Sequence, residues 1–431
     1  MTAYSDRPAI MAIGDSMYQG VRSLSLTADT ARTAPPAQVA AALGLPMTLP
    51  NPRIPILWDM EQIFRQGGLI NLLAVVREAC LANIAFWRGP EPWSQHEAFD
   101  NVSIGGALID SLWTDTYEQY WATVPGLVAN IQAKPTPDVG SIGRLWYALN
   151  VAFTLNPGKR PEQARKTQLD QVADRKPHIL LVNVGSNEGL FHAAFTGDFS
   201  QASFDAANAI PAKMEELGRR LAALPPEVEL IVVNSLVRPR AASNLMPVER
   251  PGAPKDPDYP GDDYFSFYGP SIGGGDVVPG AVVRRYDETI QAVNAEARRR
   301  LQAVVGTRLT FVDLYAATTK FDGKHYSDRG VIVTPNGHFH RLSNTALNLF
   351  FGSLMTGGLT GLDNMHPTAP GYGLIANAVL EAMGATPRVD MLQAYLADSL
   401  LARLPHTWNL SHIELALLGS LGVFSSGALT G

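Results

Sequence analysis

Four short apolar runs constrain the fold of this 431-residue chain more than any other feature: Ala9 to Ile13, Ile179 to Val184, Glu229 to Val233 and Leu309 to Leu314. Each is rich in β-branched residues and nearly free of polar interruption, the pattern of a strand buried on both faces of a parallel sheet. Such strands need helices above and below, and the intervening sequence supplies them. Phe204 to Leu224 carries apolar residues at helical spacing, as does Tyr286 to Val304 with Ile290, Val293, Ala297 and Leu301. A further strand is expected at Asp100 to Ile104. The alternation of strand and helix predicts an α/β fold, a doubly wound three-layer α/β/α sandwich around a central parallel sheet of about five strands.

In an open parallel sheet, ligands sit beyond the carboxyl ends of the strands. The polar residues that follow the apolar runs therefore belong together. They are Gly14-Asp15-Ser16, the stretch DNVSIGGA at 100–107, NVGSNEG at 183–189, and LDNMHPTAPGYGLIANAVL at 362–380. A serine hydroxyl becomes a nucleophile only when a base takes its proton, and a histidine base needs a carboxylate to fix its tautomer. Ser16, His366 and Asp363 are the residues of those types at strand ends and in the late loop. A tetrahedral intermediate also needs preorganised donors. Gly106 offers a backbone N–H, Asn187 a side-chain amide and Ser16 its own N–H.

Each residue has a plainer reading. Ser16 suits a turn, Asp363 a helix cap, Asn187 another cap, and Gly105 competes with Gly106 for the donor role. Asp15 is expected to bond the backbone and shape its turn, because neighbouring residues on a strand end face opposite ways.

Taken together, the four segments resemble the four blocks of the GDSL, or SGNH, hydrolase superfamily. The serine lies in GDSM, the glycine in NVSIGGA, the asparagine in GSN and the histidine in DNMHP, in that order. The resemblance implies a flavodoxin-like fold, Ser16 as nucleophile, His366 as general base and acid, Asp363 as its partner, and Ser16, Gly106 and Asn187 as the oxyanion hole. It implies no cofactor and no metal. The chain departs from the family where Glu188 replaces the usual Asp of the third block, and in the long spacings from Ser16 to Gly106 and from Asn187 to His366. The expected activity is hydrolysis of carboxylic esters through an acyl-enzyme, by a carboxylesterase or lipase acting on a small-molecule or lipid-like ester. Alternatives are a carbohydrate O-acetylesterase acting on an acetylated carbohydrate, an acyltransferase, and a non-catalytic binding protein on the same fold.

A hydrolase domain is expected over residues 1–390, with insertions at about 22–98, 110–176, 238–285 and 318–360. Residues 391–431 form a C-terminal extension packed on the domain or over the pocket. The stretch at 25–55, rich in Ala and Pro, and the stretch at 238–285, rich in Pro and Gly, read as insertions over the open face of the sheet. The apolar segments Leu69 to Trp87 and Leu415 to Leu429 are poor membrane spans, the first for its charges and the second for its length. They read as core, or as a lid or acyl-chain wall over Ser16.

GPSIG at 269–273 matches a nucleophile elbow in letters but runs into more glycine instead of a helix, so Ser271 reads as a loop residue. His338 and His340 lack a third ligand for zinc. Trp87, Trp93, Trp113 and Trp121 read as core, or as platforms for a sugar.

At 46% hydrophobic residues the chain can fill a large core. The single Cys80 excludes an internal disulfide, and a net charge of -6 without a basic stripe excludes a nucleic-acid partner. Asp6 and Arg7 precede an apolar run of five that leads into a turn, so no secretory signal is read and a cytoplasmic location is expected.

Overall fold

The computed structural model describes residues 7–65, 72–134, 139–248, 264–272, 275–324, 330–337, 340–345 and 357–401. Among them lie nine strands: β1 (Ile10–Gly14), β2 (Ile179–Asn183), β3 (Leu230–Asn234), β4 (Leu245–Pro247), β5 (Phe267–Pro270), β6 (Val278–Pro279), β7 (Leu309–Val312), β8 (Val331–Val333) and β9 (His340–Leu342). The four apolar runs of the sequence become one parallel sheet in the order β1-β2-β3-β7. Its register sets Gly14 beside Asn183, Val182 beside Val233, and Asn234 beside Val312. The carboxyl ends therefore form a common rim.

Asp100 to Ile104 lies along the free edge of β1, as expected, but as an irregular strand with one bridge, between Ala12 and Asn101. Ala12 N–H donates to Asp100, and Val102 and Ile104 donate to Ala12 and Gly14. The ladder is incomplete because the Gly14 N–H is taken by the Gln168 side-chain oxygen at 2.8 Å. Counting this edge, the segments lie in the spatial order 100–104, β1, β2, β3, β7.

Alternate residues of the strands face opposite ways, and both sets are buried. Met11, Ile13, Leu180, Val182, Ile231 and Val233 enter one core, which also takes Leu217 of the helix Gln201–Ala222 and Ile290 of the helix Gly280–Val305. Ile10, Ala12, Leu181, Val232 and Val312 enter the other, against Val39 of the helix Pro35–Ala42 and Ile375 and Val379 of the helix Ala369–Ala382. Helices thus cover both faces of the sheet.

The stretches that read as insertions hold more regular structure than their sequence patterns announce. The helices Tyr117–Ala133 and Val139–Leu155 pack on each other, and Val124, Val128, Leu149 and Phe153 extend the first core. The first of these helices opens with a capping box, Thr116 and Gln119 exchanging side-chain-to-backbone hydrogen bonds. Strands β4, β5 and β6 form a small antiparallel sheet, and β8 and β9 pair antiparallel.

The helix Leu72–Trp87 is core: Val76, Cys80, Ile84 and Trp87 are buried in the first cluster. Trp87 and Trp93 are buried against Phe153 and each other, and Trp113 and Trp121 pack on the same cluster, so these rings serve the core. The helix Met391–Ala397 packs on Ala369–Ala382, so the C-terminal extension is joined to the domain as far as residue 401. Leu415 to Leu429 and His338 lie outside the described residues. His340 stacks on Tyr395, with ring centroids 6.0 Å apart. Among the described residues no helix is long and apolar enough to cross a membrane.

The backbones approach closely at the ends of β1 and β2. Gly14 has φ of 142°, and a Cβ there would lie 1.9 Å from the Asn183 carbonyl oxygen. Gly14→Ala is expected to lower the unfolding free energy by about 3 kcal/mol or more, read from urea denaturation, because both the backbone strain and the clash must be relieved.

Candidate active site

Where β1 ends, Asp15 becomes the N-cap of the short helix Ser16–Gln19 and accepts the Met17 N–H at 3.1 Å. This is the turn-shaping role expected of it, and it leaves Ser16 at the first helical position on the rim. A second bond, from the Asn183 side-chain amide at 2.8 Å, ties Asp15 to the end of β2. Asn183 in turn accepts from the Asn234 amide at 2.9 Å, so three strand ends are linked by one buried polar chain. Burial pushes the Asp15 carboxyl up to about 6, against the pull of the Met17 N–H, the Asn183 amide and His366.

Residues 350 positions apart meet at Ser16. His366 Nε2 lies 3.0 Å from Ser16 Oγ. On the other side of the ring, Nδ1 lies 2.7 Å from Asp363 Oδ2. An ionised carboxylate only accepts, so the Nδ1–H donates to Asp363 and the Nε2 lone pair is left facing the serine hydroxyl.

Asp363 also serves as a turn residue, its Oδ1 accepting the N–H groups of Met365 at 3.1 Å and His366 at 2.9 Å. The turn and relay readings of Asp363 are thus compatible in one carboxylate. Burial alone would raise its pKa. The charge and hydrogen bonds of His366, with the backbone donors, outweigh burial and hold it below the usual carboxylate range.

The second loop is bonded to the helix that Ser16 begins, and the third loop to the second. The Gly105 N–H is engaged by the Gln19 side-chain oxygen at 2.7 Å, which removes it from the competition with Gly106. Gly106 has φ of 88°, the left-handed region open to glycine, and its N–H has no acceptor among the described residues. The Ser16 N–H likewise has none. Asn187 Nδ2 donates to the Ala107 carbonyl at 3.0 Å, which fixes the amide beside the Gly106 loop and leaves its second hydrogen. Glu188, the departure from the family pattern, accepts the Ile109 N–H at 2.9 Å and pairs with Lys213, so it too ties the third block to the second.

Several positioning residues carry no motif. Gln19 is buried and also donates to Asn150 at 2.7 Å and Thr154 at 3.0 Å. Gln168 brackets the Gly14 peptide, and the Leu24 N–H donates to Asp363 Oδ2 at 2.9 Å. Burial of a polar side chain marks Gln19 and Gln168 and backbone geometry marks Leu24, and neither is written in a single sequence.

Beside Ser16 and His366 runs a cleft open to solvent. Its walls are mainly apolar and include Met17, Leu190, Phe191, Leu314, Met365 and Ile375. The Phe191 ring lies 5.5 Å from that of His366. The cleft draws no wall from the helix Leu72–Trp87. Ser271 follows β5 without a helix, and its hydroxyl is held by Asn244 at 2.9 Å and Asn364 at 3.1 Å, with no base bonded to it among the described residues. Among the described residues no group of three or more His, Cys, Asp or Glu could hold a metal ion.

Comparison with protein-family models, curated proteins and solved structures finds no match to this chain.

The low pKa of Asp363 has a consequence for stability. The unfolded chain binds a proton at this carboxyl at a higher pH than the native state does, so its contribution is present above the unfolded value of 3.8 and is lost as pH falls through the native value. The difference in urea stability between the wild type and Asp363→Asn is expected to be larger at pH 5 than at pH 3. An equal difference at the two values contradicts the assignment of an ionised, multiply bonded Asp363.

Proposed function

We propose that the protein is a serine esterase of the GDSL, or SGNH, type that hydrolyses carboxylic esters with an apolar acyl group. The observation that carries this is the unbroken sequence of hydrogen bonds from Ser16 through His366 to Asp363 at the edge of an apolar cleft. The spatial order of the parallel segments, with the second in sequence outermost beside β1, supports the flavodoxin-like arrangement that the motif resemblance implies.

In this proposal His366 takes the proton from Ser16 as its oxygen attacks the ester carbonyl, and Asp363 stabilises the imidazolium that forms. The carbonyl oxygen becomes an oxyanion that accepts from the N–H groups of Ser16 and Gly106 and the amide of Asn187. These donors cost little to organise, since the loops that bear them are already bonded to one another. The imidazolium then protonates the departing alkoxide, leaving an acyl-Ser16. Water repeats the sequence with His366 again as base, and the acid is released.

The cleft favours an apolar acyl group over a sugar. Its walls are aliphatic and aromatic, and the tryptophans that would make sugar platforms pack in or against the core. Phosphate esters have little to meet there: Arg238, the one Lys or Arg of the wall among the described residues, is paired with Asp287 at 2.7 Å.

Ser16→Ala is expected to lower turnover of p-nitrophenyl butyrate by about 10⁴-fold or more, and near-normal turnover by this variant overturns the proposal. Ala317, on the cleft wall in the short helix Leu314–Thr319, offers a test of the acyl site. Ala317→Trp is expected to reduce kcat/KM for p-nitrophenyl decanoate by about tenfold while that for the acetate stays within about twofold. Equal loss on both esters places the acyl group elsewhere.

A further inference from the structure

The turn at residues 22–24 is joined to the loop of Asp363 and His366 by a buried charge cluster that the chemistry itself does not use. Ser23 and Leu24 both have left-handed backbones, with φ of 52° and 53°, where side chains other than glycine are uncommon. That conformation aims the Leu24 N–H at Asp363 Oδ2. The Ser23 hydroxyl accepts the Leu362 N–H at 3.0 Å and donates to Glu61 at 3.0 Å. Gly361 makes this contact possible, for a Cβ there would lie 2.7 Å from Ser23 Oγ and 2.8 Å from Arg22 Cγ.

Arg22 organises the cluster. Its guanidinium grips Glu61 with two bonds of 2.7 and 2.9 Å and reaches Asp398 at 2.8 Å. All three side chains are almost fully buried. The Asp398 oxygen that meets Arg22 also accepts the Ala369 N–H at 2.7 Å, at the first turn of the helix that follows His366. Glu61 therefore holds one end of the 361–369 loop through Ser23, and Asp398 holds the other directly. Both ends are referred to one guanidinium.

We propose that Arg22, Glu61 and Asp398 form a clamp that positions Asp363, and through it His366, for turnover. Asp398, just beyond the helix Met391–Ala397, makes the C-terminal segment a working part of the site. The proposal rests on the serine-esterase reading. It concerns positioning residues, since none of the three touches the reacting atoms.

The test is a double-mutant cycle with p-nitrophenyl butyrate. Ser23→Ala removes the hydroxyl between Glu61 and Leu362 without altering a charge, and Asp398→Ala removes the oxygen that accepts from Arg22 and Ala369. With far-UV circular dichroism showing the variant folded, each is expected to lower kcat about tenfold and leave KM within about twofold. In an Asp363→Asn background the same changes are expected to cost less than about twofold, because the carboxylate being positioned is gone. Folded variants with unchanged kcat, or with the full tenfold loss repeated in the Asp363→Asn background, overturn the clamp while leaving the esterase proposal intact. If one variant does not fold, the other decides. Absence of Ser16-dependent hydrolysis in the wild-type chain overturns both.

Discussion

The contact between the ends of β1 and β2 sets the geometry of everything above it. Gly14 lies so close to the Asn183 carbonyl that no side chain fits, which fixes the register of the two strands at their carboxyl ends. From that register Asp15 reaches Asn183, and the Asp15 cap starts a helix with Ser16 on its first turn. The Gly14 peptide is meanwhile held by Gln168, and its carbonyl receives Ile104 from the second block. A serine placed by a flexible turn would wander over ångströms. Here its backbone is an extension of the sheet.

Two buried aspartates within the same site show how local bonding decides charge. Asp363 meets the N–H groups of Leu24, Met365 and His366 and the His366 ring, and these donors overcome burial to hold its pKa low. Asp15, with fewer compensating donors, is pushed up by burial to about 6. A carboxylate that orients a histidine must stay ionised while the base cycles between neutral and cationic forms. Asp363 meets that requirement of the proposed mechanism, whereas Asp15 supplies a cap and a link between strands.

Much of this was legible in the chain itself. The strand runs were visible because parallel strands buried on both faces must be apolar, and their predicted limits lie within a residue or two of β1, β2, β3 and β7. The helices Gln201–Ala222 and Gly280–Val305 were visible from their apolar stripes. The rule that polar residues after parallel strands share one rim placed Ser16, whereas His366 and Asp363, which lie in a loop before a helix, were joined to it by the chemistry a serine nucleophile needs and by the motif resemblance.

Other features could not be read. Gln19, Gln168, Leu24 and the Arg22 cluster act through burial and backbone geometry, which a sequence does not display. The helix Tyr117–Ala133 has apolar residues at helical spacing but is interrupted in sequence by Pro125 and Gly126, and Val139–Leu155 has apolar residues spread widely around the helix, so neither was read. The choice of Gly106 over Gly105 came from the motif resemblance alone, and its physical ground, that the Gln19 amide takes the Gly105 N–H, is a tertiary fact. The Leu72–Trp87 helix, apolar enough to suggest a wall over the site, is apolar because the core surrounds it.

The central claim is that His366 activates the hydroxyl of Ser16. Treating the protein with a fluorophosphonate and locating the adduct by peptide mass spectrometry tests it directly, since such reagents require an activated serine. The account predicts one stoichiometric adduct, on Ser16, formed rapidly in the wild type and lost in His366→Ala. An adduct on Ser271 or any other serine, or modification of Ser16 at an unchanged rate without His366, would contradict it.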